Sequence, residues 1–448
     1  MARDFAISDN AAVQAQLDRL GALSLPQGRL HLDTARTLLA RLGNPERALP
    51  PTFHVAGTNG KGSTCAYLAA ALEAAGYVVH VATKPHLVRY NERIRLAGHL
   101  IDDDLLAALL KEVLDAAVGL EPSFFEVTSV ATFLAFARVP ADACVIETGL
   151  GGRLDATNVM PADVVAACGV ATLGIDHEAF LLSPEDGVPV EPMARIAFEK
   201  TGIARAGVPL VTQAYPEPAG SEVARSAARL GARHLLRGRD WFAEASVGGI
   251  AYRDAAGELA LPLPAIPGAH QADNAALATA MLRAQKKLAI PAAAIAAGIT
   301  GARWPGRLQR LGPGPLTSRI PGRTVWVDGT HNADAAQAVA RAMQPLAPYD
   351  MVFGLMRNRR ISEVLGPFVP GVRVCRTVPL KGHEHHDPRD IAVLAQGKLG
   401  PRQTYPDFSL EQAIDRLAAD PHGAANVLIA GSLYLVGEAL RMNKEVPE

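Results

Sequence analysis

The chain has few cysteines and no long apolar run. Its four cysteines, Cys65, Cys144, Cys168 and Cys375, lie far apart in apolar stretches, which fits neither a zinc site nor a disulfide framework. No apolar run approaches the roughly 20 residues of a membrane-spanning helix. The N-terminal stretch also lacks the apolar core of a signal peptide. We therefore predict buried free thiols and a reducing, cytoplasmic compartment.

The chain also lacks an excess of either charge. Lysine and arginine number 44 against 45 acidic residues, which gives a net charge of -1. This balance gives no reason to expect a nucleic-acid partner or an anionic membrane surface. A length of 448 residues exceeds the usual single-domain range, so two domains are expected. We predict a monomer that acts on small molecules.

Short apolar runs alternate with helical patterns along most of the chain, which predicts an α/β fold with a mostly parallel sheet. Residues 238–264 differ, because their short alternating runs broken by glycine predict a small antiparallel excursion. A segment rich in proline and glycine begins at residue 302, and the alternation restarts after it. We predict an N-terminal phosphate-loop ATPase domain at residues 1–301 and a smaller, Rossmann-like α/β domain at 302–448.

A glycine-rich turn joins an apolar run to a helical pattern, which is the context of a phosphate-binding loop. The turn consists of Gly57, Thr58, Asn59, Gly60, Lys61, Gly62 and Ser63. Glycines let backbone N–H groups face phosphate oxygens, and the helix N-terminus adds its positive dipole end. We expect Lys61 near the β- and γ-phosphates of ATP, and the Ser63 hydroxyl on Mg²⁺. The strict Walker pattern fails, because Val55 occupies its first glycine position and Gly62 separates Lys61 from Ser63.

A second glycine-rich turn, GLGGRLDATNV, follows an apolar run that ends at Glu147. A carboxylate at the C-terminal edge of a parallel sheet, beside the phosphate loop, can bind the magnesium ion of a nucleotide. Together with AGTNGKGS, this turn resembles the dihydrofolate synthase/folylpolyglutamate synthase family, the folate branch of the Mur ligase superfamily. Mur ligases proper tend to carry threonines where this chain has Gly62. The resemblance covers nearly the whole chain.

The resemblance implies an ATP-dependent ligase that joins the carboxylate of dihydropteroate, and of reduced folates, to L-glutamate through an acyl phosphate. It implies two Mg²⁺ ions held by Ser63, Glu147, His177 of LGIDH and Lys200 of EKTGI, with Lys200 carbamylated. A lysine must be neutral to react with CO₂, and burial near other cations lowers its pKa. Lys61, His177 and Lys200 are the implied catalytic residues.

The same resemblance assigns further contacts. Those to the nucleotide are Asn274 in HQADNAALA, Arg307 in WPGR, and Asp328 and His331 in DGTHN. Those on the pterin side are Phe124 and Asp155. Taken alone, each of these residues is equally well explained as part of a turn, a helix cap or the core.

Three features depart from the family pattern. Lys84 stands where the family has a serine that helps to place magnesium, and an ammonium group repels a metal ion. Residues 181–192 lengthen the segment between His177 and Lys200. Three histidines lie at 383, 385 and 386, and we expect structural or solvent-facing roles for them.

Two other functions stay open on the sequence. One is a Mur-type ligase acting on a nucleotide-sugar peptide, although only about 50 residues precede the phosphate loop, too few for a separate domain. The other is a catalytically impaired ATP-binding protein, for which Lys84 is the main reason.

Overall fold

The computed structural model describes residues 7–23, 31–399 and 403–447, and it confirms the predicted fold class. The first unit is built on an eight-stranded sheet. Its strands are β1 (Thr52–Ala56), β2 (Val79–Ala82), β3 (Ile94–Leu96), β4 (His99–Leu100), β5 (Ala143–Glu147), β6 (Val165–Val170), β7 (Pro209–Thr212) and β8 (Arg233–Leu236). Their order across the sheet is β4-β3-β2-β5-β1-β6-β7-β8. All neighbours are parallel except the β2–β3 and β3–β4 pairs.

Ten helices accompany this sheet in the described part of the chain. They are α1 (Ala11–Gly21), α2 (Asp33–Arg41), α3 (Lys61–Ala74), α4 (Asp103–Ala116), α5 (Phe124–Arg138), α6 (Glu178–Leu181), α7 (Pro192–Thr201), α8 (Ala219–Arg229), α9 (His270–Ala284) and α10 (Ala292–Gly301). One apolar core joins a sheet face to α1, α4 and α5, and another joins the opposite face to α3, α9 and α10. The sheet is therefore covered on both faces, and this explains why its central strands β1, β5 and β6 are mostly apolar and buried along their whole length.

A small antiparallel sheet follows the first sheet, as predicted for residues 238–264. Its strands are β9 (Trp241–Ser246), β10 (Gly249–Asp254) and β11 (Gly257–Leu261). The helical pattern of the sequence extends from about Gln271 to Leu288, but helix α9 ends at Ala284. The Gln285 side chain explains this end, because it donates to the carbonyl oxygens of Leu282 and Leu288 and so turns the chain.

The second unit is a six-stranded sheet with five helices. Its strands are β12 (Gln309–Arg310), β13 (Thr324–Asp328), β14 (Tyr349–Phe353), β15 (Val372–Thr377), β16 (Thr404–Pro406) and β17 (Asn426–Ala430). The helices are α11 (Ala333–Met343), α12 (Ile361–Leu365), α13 (Pro388–Leu399), α14 (Leu410–Ala418) and α15 (Leu433–Asn443). The strand order is β12-β13-β17-β14-β15-β16, and only β12 is antiparallel. The domain boundary at 301/302 stays a prediction.

Two smaller expectations also meet the structure. All four cysteines are buried and free, as predicted. Among the described residues, no helix is long and apolar enough to cross a membrane.

The register of the central strands determines which turns lie next to one another at the edge of the sheet. Val55 of β1 lies opposite Glu147 of β5, and Ala56 lies opposite Val170 of β6. Parallel strands end at a common edge, so the turns after β1, β5 and β6 meet there.

Candidate active site

The turn between β1 and α3 accepts only glycine at its key positions. Gly57 has a φ of 147° and Gly60 a φ of 83°, which L side chains rarely adopt. A Cβ at Gly60 would overlap the Asn274 amide, and one at Gly62 would overlap the Trp304 ring. Asn274 from α9 and Trp304 from the connecting segment therefore lie directly against the loop and the first turn of α3, which includes the buried Ser63.

Two lysine side chains converge on one carbonyl oxygen of this loop. The Lys61 ammonium donates to the oxygens of Gly57 and Thr58 at 3.0 and 3.2 Å. The Lys200 ammonium donates to the same Gly57 oxygen at 2.9 Å. The Thr58 hydroxyl, which exchanges hydrogen bonds with Gly174, ties the loop to the turn after β6. Two lysine amines therefore lie side by side at the phosphate loop.

Lys200 is buried near the end of α7, and its pKa reflects this setting. Burial, with the nearby Lys61 charge, lowers the pKa of Lys200 to about 7, although Asp176, Asp155 and Glu199 oppose the shift. A large share of this amine is therefore neutral near pH 7, as reaction with CO₂ requires.

A closed ring of four charges holds α7 in place. Arg153 and Arg195 each bind both Glu185 and Glu199 at 2.7–3.0 Å, and all four side chains are 5–19% exposed. Glu185 belongs to the lengthened segment 181–192, whose position the sequence did not predict. The segment is thus fixed to the helix that carries Lys200.

Glu147 lies between two cationic residues at the end of β5. Its carboxylate accepts a bond from the Lys84 backbone N–H at 3.1 Å and lies 4.0 Å from the Lys61 ammonium. Burial raises the pKa of Glu147, and the charge of Lys61 opposes that rise. In the described part of the chain, no three His, Cys, Asp or Glu side chains form a metal cluster. One carboxylate and the Ser63 hydroxyl nevertheless fit Mg²⁺, which takes most of its other ligands from phosphate and water.

Asp176 and His177 follow β6, and His177 has a φ of 53°. Burial alone would raise the pKa of Asp176, but His177 and Arg359 hold it below its usual range. Burial, with the charges of Arg359, Lys200 and Lys61, lowers the pKa of His177 to about 4 even though Asp176 opposes it. The imidazole, 37% exposed, is thus a neutral nitrogen ligand at neutral pH.

The second unit reaches the site through the turn after β13. Asn332 and Asn59 exchange amide hydrogen bonds of 2.9 and 3.2 Å across the two units. Asp328 accepts from the Leu308 N–H at 2.7 Å and from Thr330, and so fixes the connecting segment. The Arg307 guanidinium lies beside Gly329.

His331 belongs to the same turn, where its Nδ1 lies 2.8 Å from the Gly329 oxygen. Burial and the charge of Arg359 lower the pKa of His331 to about 4. Like His177, it is therefore neutral at physiological pH.

The two residues assigned to the pterin side are placed differently. Asp155 is buried, and its oxygens accept from the Gly149, Leu150 and Thr157 N–H groups at 2.8–3.0 Å and from the Thr157 hydroxyl. It therefore orders the turn after β5. Phe124 packs edge-on against Tyr90, with centroids 6.0 Å apart, and the structure does not bring it to the phosphate loop. Substrate contact by either residue stays a prediction.

Sequence reasoning missed Arg359, which follows β14 and ion-pairs with Asp176 from the second unit. The detectable signal was a basic run, RNRR, after a strand that ends at the same sheet edge. The charge of Arg359 also adds to the larger effect of burial in lowering the pKa of both histidines. Of the other predicted residues, the structure brings together the loop, Glu147, His177, Lys200 and Asn274, with Arg307, Asp328 and His331 facing them.

Comparison with known proteins gives a consistent result. No family model matches the chain. The dihydrofolate synthase/folylpolyglutamate synthase of Escherichia coli is 34% identical over 92% of this chain and 91% of its own length. The structure of E. coli FolC in complex with DHPP and ADP superposes with a TM-score of 0.82 at 31% identity, covering 96% of this chain and 97% of that one.

A bifunctional folylpolyglutamate synthase/dihydrofolate synthase from Yersinia pestis, complexed with AMPPNP and Mn, superposes with a TM-score of 0.81. It is 26% identical, and the match covers 96% of this chain and 97% of that one. Sequence identity over nearly the full length thus agrees with the glycine loop, its two lysines and the facing turn of the second unit. On these grounds the chain belongs to the dihydrofolate synthase/folylpolyglutamate synthase family.

Proposed function

We propose that this chain is an ATP-dependent ligase that forms an amide between the carboxylate of dihydropteroate, and of reduced folates, and the α-amine of L-glutamate. The observation that carries the proposal is the meeting of Lys61 and Lys200 at the Gly57 carbonyl, beside Glu147. The Lys61 ammonium beside one carboxylate suits a nucleotide triphosphate with its metal ion, and the neutral Lys200 amine can be carbamylated to hold a second ion. The names and bound nucleotides of the relatives support the same activity.

The reaction needs an activated carboxylate, because oxide is a poor leaving group. The γ-phosphoryl group of ATP moves to a carboxylate oxygen, which gives an acyl phosphate and ADP, and the glutamate amine then displaces phosphate. Lys61 and Arg307 neutralise charge on the phosphoryl oxygens. Ser63 and Glu147 would hold one Mg²⁺, and His177 with carbamylated Lys200 would hold a second; the ions would supply further charge neutralisation.

The second unit completes the nucleotide site in this proposal. Asp328 and His331 belong to the turn after β13, whose Asn332 exchanges hydrogen bonds with Asn59 of the loop, and Asn274 lies against Gly60 from α9. A division into domains at 301/302 belongs to the same proposal, as does a monomer. Four buried free thiols support a cytoplasmic location, since reducing compartments keep thiols free.

Product analysis tests the proposed function. Protein incubated with ATP, Mg²⁺, dihydropteroate and L-glutamate should release phosphate and form dihydrofolate detectable by mass spectrometry, and omission of glutamate should abolish the product. Lys61→Ala should lower turnover by about 100-fold or more, since a charge aimed at the phosphoryl group is lost. Lys111→Ala, on the exposed face of α4, is the matched control. Phosphate release that is equal with and without both substrates would instead support an ATP-binding protein without ligase activity.

A further inference from the structure

Lys84 carries a buried ammonium group without an acceptor. Its Nζ is inaccessible to solvent and has no hydrogen-bond partner among the described residues. Burial of an unpaired charge is unfavourable in proteins. Lys84 lies at the edge of the candidate active site. We therefore expect a bound anion to supply the partner that its ammonium group lacks.

The surroundings of Lys84 show where that anion binds. The ammonium lies 3.9 Å from the centre of the Phe125 ring, a cation–π contact that accepts none of its hydrogens in a conventional hydrogen bond. Asp155 is close enough to interact electrostatically, but its oxygens already accept bonds from the turn after β5. Glu147 is bound by the Lys84 backbone N–H. The nearby carboxylates thus leave all three ammonium hydrogens unused.

The strand order separates this ammonium from the phosphate loop. Lys84 follows β2, Glu147 ends β5 and the loop follows β1, and these strands are consecutive neighbours in the sheet. Lys61 of the loop lies 4.0 Å from the Glu147 carboxylate. The Lys84 ammonium lies instead over the Phe125 ring, which also packs against Gly149 of the turn after β5.

We propose that the Lys84 ammonium binds the carboxylate of the pteroyl substrate and selects for its ionised form. This inference rests on the proposed function and names a substrate contact within it. A charge-assisted hydrogen bond in a site of low polarity holds one carboxylate oxygen. The second oxygen stays free to take the phosphoryl group.

A thermodynamic cycle of two proteins and two ligands isolates the free energy of this contact. The ligands are pteroate and its neutral carboxamide, measured by calorimetry with ADP present. The wild-type protein should bind pteroate roughly 10- to 100-fold more tightly than the carboxamide, the range of a hydrogen bond to a charged group. Lys84→Met keeps the length and apolar stem of the side chain, and it should bind both ligands within about threefold of each other.

Controls separate this contact from general effects. Lys111→Met, which removes an exposed lysine paired with Asp115, should leave the preference for the acid unchanged. Lys84→Met should unfold at or above the wild-type temperature, because an unpaired buried charge is lost. Lys84→Gln should lose the same preference and serves if the methionine variant fails to fold.

The outcomes distinguish the two proposals. If Lys84→Met and Lys84→Gln keep the wild-type preference, or if wild type binds acid and carboxamide equally, the role of Lys84 is overturned while the ligase assignment stands. If the wild-type protein binds neither ligand, the proposed function itself fails and this inference falls with it.

Discussion

Lys200 should be carbamylated in solution, and the reaction should depend on pH. The neutral amine attacks CO₂, a C–N bond forms, and one proton is released. With a pKa of about 7, roughly 90% of the amine is neutral at about pH 8 and roughly a tenth at about pH 6. A lysine with the ordinary value of 10.5 would be less than about 1% neutral at either pH. Burial therefore increases the reactive fraction by roughly 300-fold at about pH 8.

Carbon-13 NMR of protein equilibrated with ¹³C-bicarbonate measures this adduct directly. The carbamate signal should grow as the pH rises through about 7, since deprotonation of the amine limits the reaction. Lys200→Arg should abolish the signal, and Lys111→Arg should leave it intact. A signal that is absent at about pH 8, or that survives in Lys200→Arg, would refute the reasoning from burial.

The other predictions concern side chains that hold the site together. Glu185→Gln should lower the free energy of unfolding by about 3 kcal/mol, because it leaves two buried guanidinium groups with one carboxylate; urea denaturation measures this. Glu112→Gln, which breaks the exposed pair with Arg138, should cost less than about 1 kcal/mol, and equal losses would contradict the buried-ring argument. Arg359→Met should raise the pKa of His177 from about 4 toward its ordinary 6.5, as followed by NMR titration. Arg360→Met, which removes an exposed neighbouring arginine, is the control. If it shifts the pKa of His177 by the same amount, the contact of Arg359 with Asp176 is not the cause.

The sequence predicted the elements that carry the site because their signals are local. A buried strand, two glycines and a helix start predict the phosphate loop, and the observed α3 begins at Lys61 as the motif requires. Likewise, the position of Glu147 was predictable because it is an acidic residue at the end of an apolar strand. These inferences need only neighbouring residues and the rule that parallel strands end at one sheet edge.

Side-chain partners from distant segments could not be predicted in the same way. Two adjacent aromatics illustrate the difficulty, because successive helix residues point about 100° apart. The start of α5 at Phe124, fixed by the Ser123–Glu126 capping box, turns Phe125 rather than Phe124 toward Lys84. The capping motif was readable, but the position of Lys84 across the sheet was not. The contact of Glu185 with two arginines depends on packing in the same way.

Lys61 links the two unusual lysines of the site. Its charge lowers the pKa of Lys200, and this favours the neutral amine that reacts with CO₂. Once a carbamate has formed, the same charge lies beside an anion and stabilises it. The neighbour that makes the protonated amine unfavourable thus favours the product as well, so Lys61 assists both the formation and the retention of the carbamate. The Lys84 ammonium has no hydrogen-bond acceptor in the part of the chain that the structure describes, and this is why we propose an external carboxylate as its partner.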